Sequence, residues 1–149
     1  HVAGIVASTD SKYTGVAPEA TLAAVKVFSG SSGVTNVSNV IAGIDWCKDN
    51  AVTYNISVIT LSLGDGSQHN TYCDADILSR AANSAVDAGI FVDVASGNNG
   101  YSSGIGVPSC ASQTTSVAWS DKNDGIASAI VFVGGSLVTL ISDFNGSGG

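Results

Sequence analysis

The sequence predicts an α/β domain: a parallel sheet with helices on both faces, in three layers. Two observations carry this. Short apolar runs alternate with segments of helical period, the pattern of right-handed crossover units. Gly-rich loops begin where two of the apolar runs stop, at Ser62-Leu63-Gly64-Asp65-Gly66 and Ser96-Gly97-Asn98-Asn99-Gly100. In sheets of this kind ligands bind at the carboxyl ends of the strands, so these loops are where chemistry is expected.

Taken in order, the short Ala-rich run His1 to Ser8 suits a helix. Thr21 to Phe28, TLAAVKVF, reads as a buried strand entered after a turn at Gly15-Val16-Ala17-Pro18. Val37, Val40, Ile41 and Ile44 recur at helical spacing and predict an amphipathic helix over Asn36 to Asp49. Ser57 to Leu63 is a strand of the continuously apolar kind. Ile77, Leu78, Ala81, Ala82 and Ala85 mark the next helix face, with Asp74 or Asp76 as its cap and Gly89 as its left-handed terminator. Ile90 to Ala95 and Thr115 to Trp119 complete the strands. The tail Asn145 to Gly149 is Gly- and Ser-rich and is expected to be flexible.

A chain of 149 residues can enclose one core, and neither a linker nor a repeat divides it. Apolar residues make up 44% and charged residues 11%, which excludes an intrinsically disordered composition. The net charge of −7 argues against a nucleic-acid groove or an anionic membrane as partner. No apolar run reaches the length of a membrane-spanning helix. The chain starts at His1 and holds no methionine, so it is expected to be part of a longer or processed product.

Three cysteines are an odd number and lack zinc-site spacing. Cys47 falls on the first amphipathic helix and reads as a small buried hydrophobe. Cys73 and Cys110 sit in loop-like sequence, where a disulfide in an exported protein is one reading; spacing alone leaves the pairing open. His69, in the loop Gly66-Ser67-Gln68-His69-Asn70, is either a solvated loop histidine or a general base near Ser67. Asn36-Val37-Ser38 and Asn55-Ile56-Ser57 match the glycosylation sequon, a motif common by chance.

Four segments carry a family resemblance. His1-Val2-Ala3-Gly4-Ile5-Val6-Ala7 resembles the stretch just after the catalytic histidine of subtilisin-like serine peptidases. Gly15-Val16-Ala17-Pro18 with Ala24-Val25-Lys26-Val27 is similar to that family's next segment. Ser62-Leu63-Gly64 resembles its substrate-binding strand, and Ser96-Gly97-Asn98 the loop bearing its oxyanion asparagine. The four occur in the family's order, and the likeness runs to about Ser128. Beyond it the sequence diverges, apart from Gly135-Ser136-Leu137-Val138.

The resemblance implies a partial subtilisin-like catalytic domain over residues 1–149. Asn98 would donate its amide to a developing oxyanion. Ser62, Leu63 and Gly64 would pair with an extended substrate backbone, and Ala95, Ser96 and Gly97 would form the opposite wall. The family's histidine would stand three positions before His1, its aspartate further upstream, and its nucleophile in a Gly-Thr-Ser segment that does not occur here. The expectation is therefore a fragment without the Asp/His/Ser triad and without peptidase activity of its own.

Two alternatives follow. One is an esterase acting on activated esters through a nucleophile near Asn98, with His69 as base. The other is a peptide-binding module. Apolar surface left uncovered in such a fragment predicts a homo-oligomer. The resemblance also implies an extracellular or cell-envelope location and allows calcium, for which Asp65, Asp74 and Asp76 are the possible oxygen donors. Two departures stand out. Asp93 lies inside a strand where the family is apolar, so a buried, unpaired carboxylate with a raised pKa is expected there. Trp119 replaces a small residue near the pocket floor.

Overall fold

The computed structural model describes residues 1–30, 33–99 and 104–118, and the backbone of 127–133 and 136–142. The chain forms two compact units, His1–Val34 and Thr35–Gly149. Trp119 and the Asn145–Gly149 tail lie outside the described residues.

The first unit holds one helix, α1 (Val2–Ala7), with none of its residues buried. The chain then turns on Asp10, whose Oδ1 accepts the backbone N–H groups of Lys12 and Tyr13, each at 2.8 Å. It doubles back so that Val16 and Ala17 donate to the carbonyls of Ile5 and Val6. Thr21 to Phe28, expected as a buried strand, forms none, and only Val27 and Phe28 in it are even half-buried. A continuously apolar strand needs neighbours on both faces, and this unit offers a six-residue helix and no strand among its described residues.

The second unit contains the sheet. Its helices are α2 (Val37–Asp49), the short α3 (Ala51–Tyr54) and α4 (Ile77–Asp87); its first three strands are β1 (Val58–Leu61), β2 (Phe91–Ala95) and β3 (Thr115–Val117). These strands are parallel and adjacent in the order β1-β2-β3. The α/β parallel architecture is the one the periodicity predicts. A further antiparallel pair, β4 (Ala127–Val133) and β5 (Ser136–Ser142), forms a separate two-stranded sheet.

One sheet face is sealed. Ile59 and Leu61 of β1, Val92 and Val94 of β2 and Ser116 of β3 are buried, as are Val40, Ile44 and Cys47 of α2 and Leu78, Ala81, Ala82 and Ala85 of α4. The helix residues fall at intervals of three and four, one stripe on each helix. Small alanines on α4 let it pack closely on α2 and β2. Ile77, expected on that stripe, is 58% exposed. Ile77 and Leu78 are successive residues about 100° apart on the helix, and only Leu78 shares a face with Ala81, Ala82 and Ala85.

The other sheet face is open among the described residues. Val58, Phe91 and Val117 lie on it at 51%, 52% and 48% exposure. Asp93 lies on this face too, and is neither deeply buried nor unpaired: Thr60 Oγ1 donates to its Oδ1 at 2.9 Å. The alternation of the strand turns position 93 away from Val92 and Val94.

Each end of α4 is fixed chemically. Asp76 Oδ1 accepts the N–H groups of Leu78 and Ser79, which makes Asp76, not Asp74, the cap. Gly89 ends the helix at φ +88°. Cys73 and Cys110 are joined in a disulfide with Cα atoms 5.4 Å apart. Ser79, fully buried, donates its hydroxyl to the Cys73 sulfur at 3.0 Å, the sulfur having no proton to give. Cys47 is free and buried, and burial raises its thiol pKa.

Candidate functional site

The site is built where β1 and β2 end. Ser62, Leu63 and Gly64 continue from β1, and Ser96, Gly97 and Asn98 continue from β2. Because the strands are parallel neighbours in register, the two loops leave the sheet on the same side. Among the described strands β1 stands at one edge of the three-stranded sheet, and an edge of this kind can accept a further strand. No backbone hydrogen bond ties residues 62–64 to other described residues.

The two loops are held together by groups the sequence did not single out. Asn99 Nδ2 donates across to the Gly66 carbonyl at 3.1 Å. Asn98, its neighbour, is exposed and makes no hydrogen bond with the described residues. The loop-tying task therefore falls to Asn99, and the Asn98 amide is unspent. Gly97 takes φ +107°, a conformation that a side chain at this position would strain. The turn it makes sets Asn98 beyond the sheet end.

A third segment, Gly104 to Pro108, braces both loops. Gly106 N–H donates to Ser96 O at 3.0 Å, and Asp65 N–H donates to Val107 O at 3.2 Å. His69 and Ile105 exchange backbone bonds at 2.8 and 2.9 Å in an isolated bridge. A Cβ added at Gly104 would collide with the His69 backbone, and Gly104 has φ +96°. Only glycine fits this approach. Behind the brace, Ser109 and Ser116 share a hydrogen bond of 2.6 Å in the core, which satisfies two buried hydroxyls. Sequence reading passed over this segment, although Gly-Ile-Gly-Val-Pro carries turn residues at each end.

The structure places the remaining predicted residues as follows. Leu63 is half-buried; Ser62, Gly64 and Ala95 are exposed; Ser96 is half-buried. His69 is half-buried, and its imidazole bonds to no described side chain. Ser67 does not pair with it: the Ser67 hydroxyl and N–H both donate to Asp65 Oδ1. Burial works against the Asp65 charge, but hydrogen bonds from the Ser67 hydroxyl and N–H, with backbone groups of Val107 and Asp65 itself, together outweigh it and leave the carboxyl below its ordinary value. Among the described residues no nucleophile–base pair of the kind a serine hydrolase needs is found near Asn98.

The candidate calcium donors do not assemble either. Asp65 Oδ1 accepts from Ser67, Asp74 Oδ1 from the Ser112 N–H and the Asn83 amide, and Asp76 Oδ1 from the first turn of α4. No cluster of three or more His, Cys, Asp or Glu residues suited to a metal occurs among the described residues.

Comparison with known proteins identifies the family. The model of the Subtilase family matches residues 1–137. Subtilisin Savinase of Lederbergia lenta is 38% identical over 130 residues, covering 86% of this chain and 44% of its own length. Subtilisin-like protease 5 of Trichophyton tonsurans is 37% identical over 131 residues, covering 86% and 30%. Minor extracellular protease Epr of Bacillus subtilis is 31% identical over 130 residues, covering 86% and 18%. The solved structure of Sphericase superposes with a TM-score of 0.63 at 29% identity, covering 88% of this chain and 42% of that one. The chain thus spans less than half the length of the relatives it matches.

Proposed function

The chain belongs to the subtilase family, and we propose that it forms the peptide-gripping part of a subtilisin-like endopeptidase domain without cleaving peptides itself. The observation that carries this reading is the unspent pair of recognition elements. Among the described residues, the Ser62–Gly64 backbone has no hydrogen-bond partner and follows an edge strand, and the Asn98 amide has none at the end of the next strand. An extended peptide adds to the first by main-chain hydrogen bonds, with Ala95, Ser96 and Gly97 as the opposite wall. The second is the oxyanion donor of the family's acyl-transfer chemistry, a group worth about 3–4 kcal/mol in a complete site. The family resemblance assigns none of residues 1–149 to the Asp/His/Ser triad, and donors without a nucleophile and base bind but do not turn over.

The family match begins in the first compact unit and ends in the second, which supports one partial domain over residues 1–149. Export to the extracellular space or cell envelope is supported by the Cys73–Cys110 disulfide. Self-association is supported by Val58, Phe91 and Val117 on the open sheet face.

The test is titration of the chain with a fluorescent extended peptide, alongside the same peptide with alternate backbone amides methylated. Saturable binding that methylation abolishes, with no cleavage of a chromogenic peptide amide, supports the reading. Sustained cleavage that co-purifies with the chain would overturn it. Labelling by a fluorophosphonate, mapped to one serine of this sequence, would favour hydrolysis of activated esters instead, with His69 as the base.

A further inference from the structure

We propose that β5 pairs with β5 of a second copy of this chain, antiparallel about a two-fold axis through Thr139. This rests on the reading of the chain as self-associating and places a contact at a second surface, distinct from the open face of the parallel sheet.

The backbone supplies the edge. β4 and β5 form a two-stranded sheet, and β4 lies against β3, so β5 is the outer one among the described strands. One edge of β5 is taken by β4. No strand among the described residues pairs with its other edge. Two-stranded ribbons are marginal on their own, and a free edge is a template for further pairing.

The sequence selects the partner. β5 reads Ser136-Leu137-Val138-Thr139-Leu140-Ile141-Ser142, which has the same polar–apolar pattern in both directions. Antiparallel self-pairing about Thr139 sets Ser136 opposite Ser142, Leu137 opposite Ile141, Val138 opposite Leu140, and Thr139 opposite its own copy. Every pair matches in class, and such cross-strand pairs are the stabilising unit of a sheet. The hairpin's own register is less well matched: Ser128 opposes Ile141, Ile130 opposes Thr139 and Val133 opposes Ser136.

Charge points the same way. The chain carries −7, and no Asp, Glu, Lys or Arg occurs from Gly125 to Ser142. Two copies meeting at β5 bring no carboxylates together within that segment. The edge also lacks the lysine or proline with which natural edge strands block pairing. Antiparallel pairing of identical strands is isologous, so it closes at two copies.

The experiment is sedimentation velocity of the full chain over a concentration series, for the wild type and for Thr139→Lys and Thr139→Glu. The wild type is expected to dimerise. Each variant sets like charges opposite each other at the axis and should weaken dimerisation by about fivefold or more, and mixing the two variants should restore it. Thr139→Cys provides a second measurement that does not depend on tolerating a charge. Directly opposed Cα atoms in an antiparallel pair are about 4.5–5.5 Å apart, within disulfide reach, so mild oxidation should crosslink Thr139→Cys dimers. Ser136→Cys, whose partner is position 142, should not crosslink. Cys47 is buried and does not confuse the result. A dimer unaffected by the charges and uncrosslinked at 139 would overturn the β5 surface while leaving self-association standing. A monomeric wild type would overturn both. Open-ended aggregates would overturn the closed pairing.

Discussion

Thr60 and Asp93 are direct partners across two parallel strands, the threonine hydroxyl donating to the carboxylate at 2.9 Å. The bond explains how a strand of a central sheet carries an acid. A half-buried carboxylate with a hydroxyl donor is tolerated, whereas one with no partner is costly. Thr60→Val should destabilise the chain by about 1 kcal/mol, because it strands Asp93 without its donor. Thr60→Val combined with Asp93→Val should cost less than the two single changes summed. Denaturant melts of the four proteins in the cycle measure the coupling; strict additivity would mean that the bond contributes nothing.

The disulfide closes a separation of 37 residues and fastens the approach to α4 to the segment that braces the site. By the loop-closure estimate, opening a loop of that length removes roughly 3–4 kcal/mol. Cys73→Ala with Cys110→Ala is expected to lower the urea midpoint accordingly, and reduction of the wild type should do the same. The buried Ser79 hydroxyl then loses its sulfur acceptor, so Ser79→Ala should be less harmful in the disulfide-free background than in the wild type.

Near the same bridge, Asp74 accepts the Ser112 N–H and the Asn83 amide, each at 2.8 Å. The Ser112 N–H is the main cause that holds its pKa below the ordinary 3.8, with Asn83 adding to it. A carboxyl with a depressed folded-state pKa contributes stability that is complete above its unfolded value. Between the two values the unfolded chain binds more protons, so stability drops as the pH is lowered there, and the contribution is gone below the folded value. Unfolding midpoints should therefore be flat down to about pH 5 and decline below about pH 4. Asp74→Asn should lower stability at pH 7 and show a shallower acid decline than the wild type. An unchanged acid slope would remove Asp74 from the account.

How much of this was legible in the sequence varies with the reach of the interactions. The faces of α2 and α4 could be read because Val40, Ile44, Leu78, Ala81 and Ala85 repeat with the helix period, and burying a stripe is a local requirement. Both loops could be located because strands end in glycine. Thr21 to Phe28 misled because an apolar run states what it needs, not whether a partner strand supplies it. The pairing of Asp93 was hidden because Thr60 lies 33 residues away. The brace at Gly104 to Pro108 was missed for a similar reason: its job is to satisfy Asp65, His69 and Ser96, none of them near it in sequence.

The last prediction separates two adjacent asparagines that sequence alone could not tell apart. Asn99 joins the loops through Gly66 O, and Asn98 is left exposed and unbonded among the described residues. Asn99→Ala removes the tie, so the two sides of the groove lose their fixed spacing. Peptide affinity should fall by about three- to tenfold, the worth of one hydrogen bond and some lost preorganisation. Asn98→Ala should leave peptide affinity within about twofold, because an oxyanion donor acts on charge that develops during reaction and contributes little to a ground-state complex. It should, however, weaken a peptide boronate or aldehyde hydrate carrying a tetrahedral oxygen at the scissile position, if that oxygen occupies the donor's place. Fluorescence polarisation with the two ligand types against the two variants gives four affinities. Equal losses for both ligands in Asn98→Ala would make Asn98 a part of the groove wall and end its assignment as an oxyanion donor.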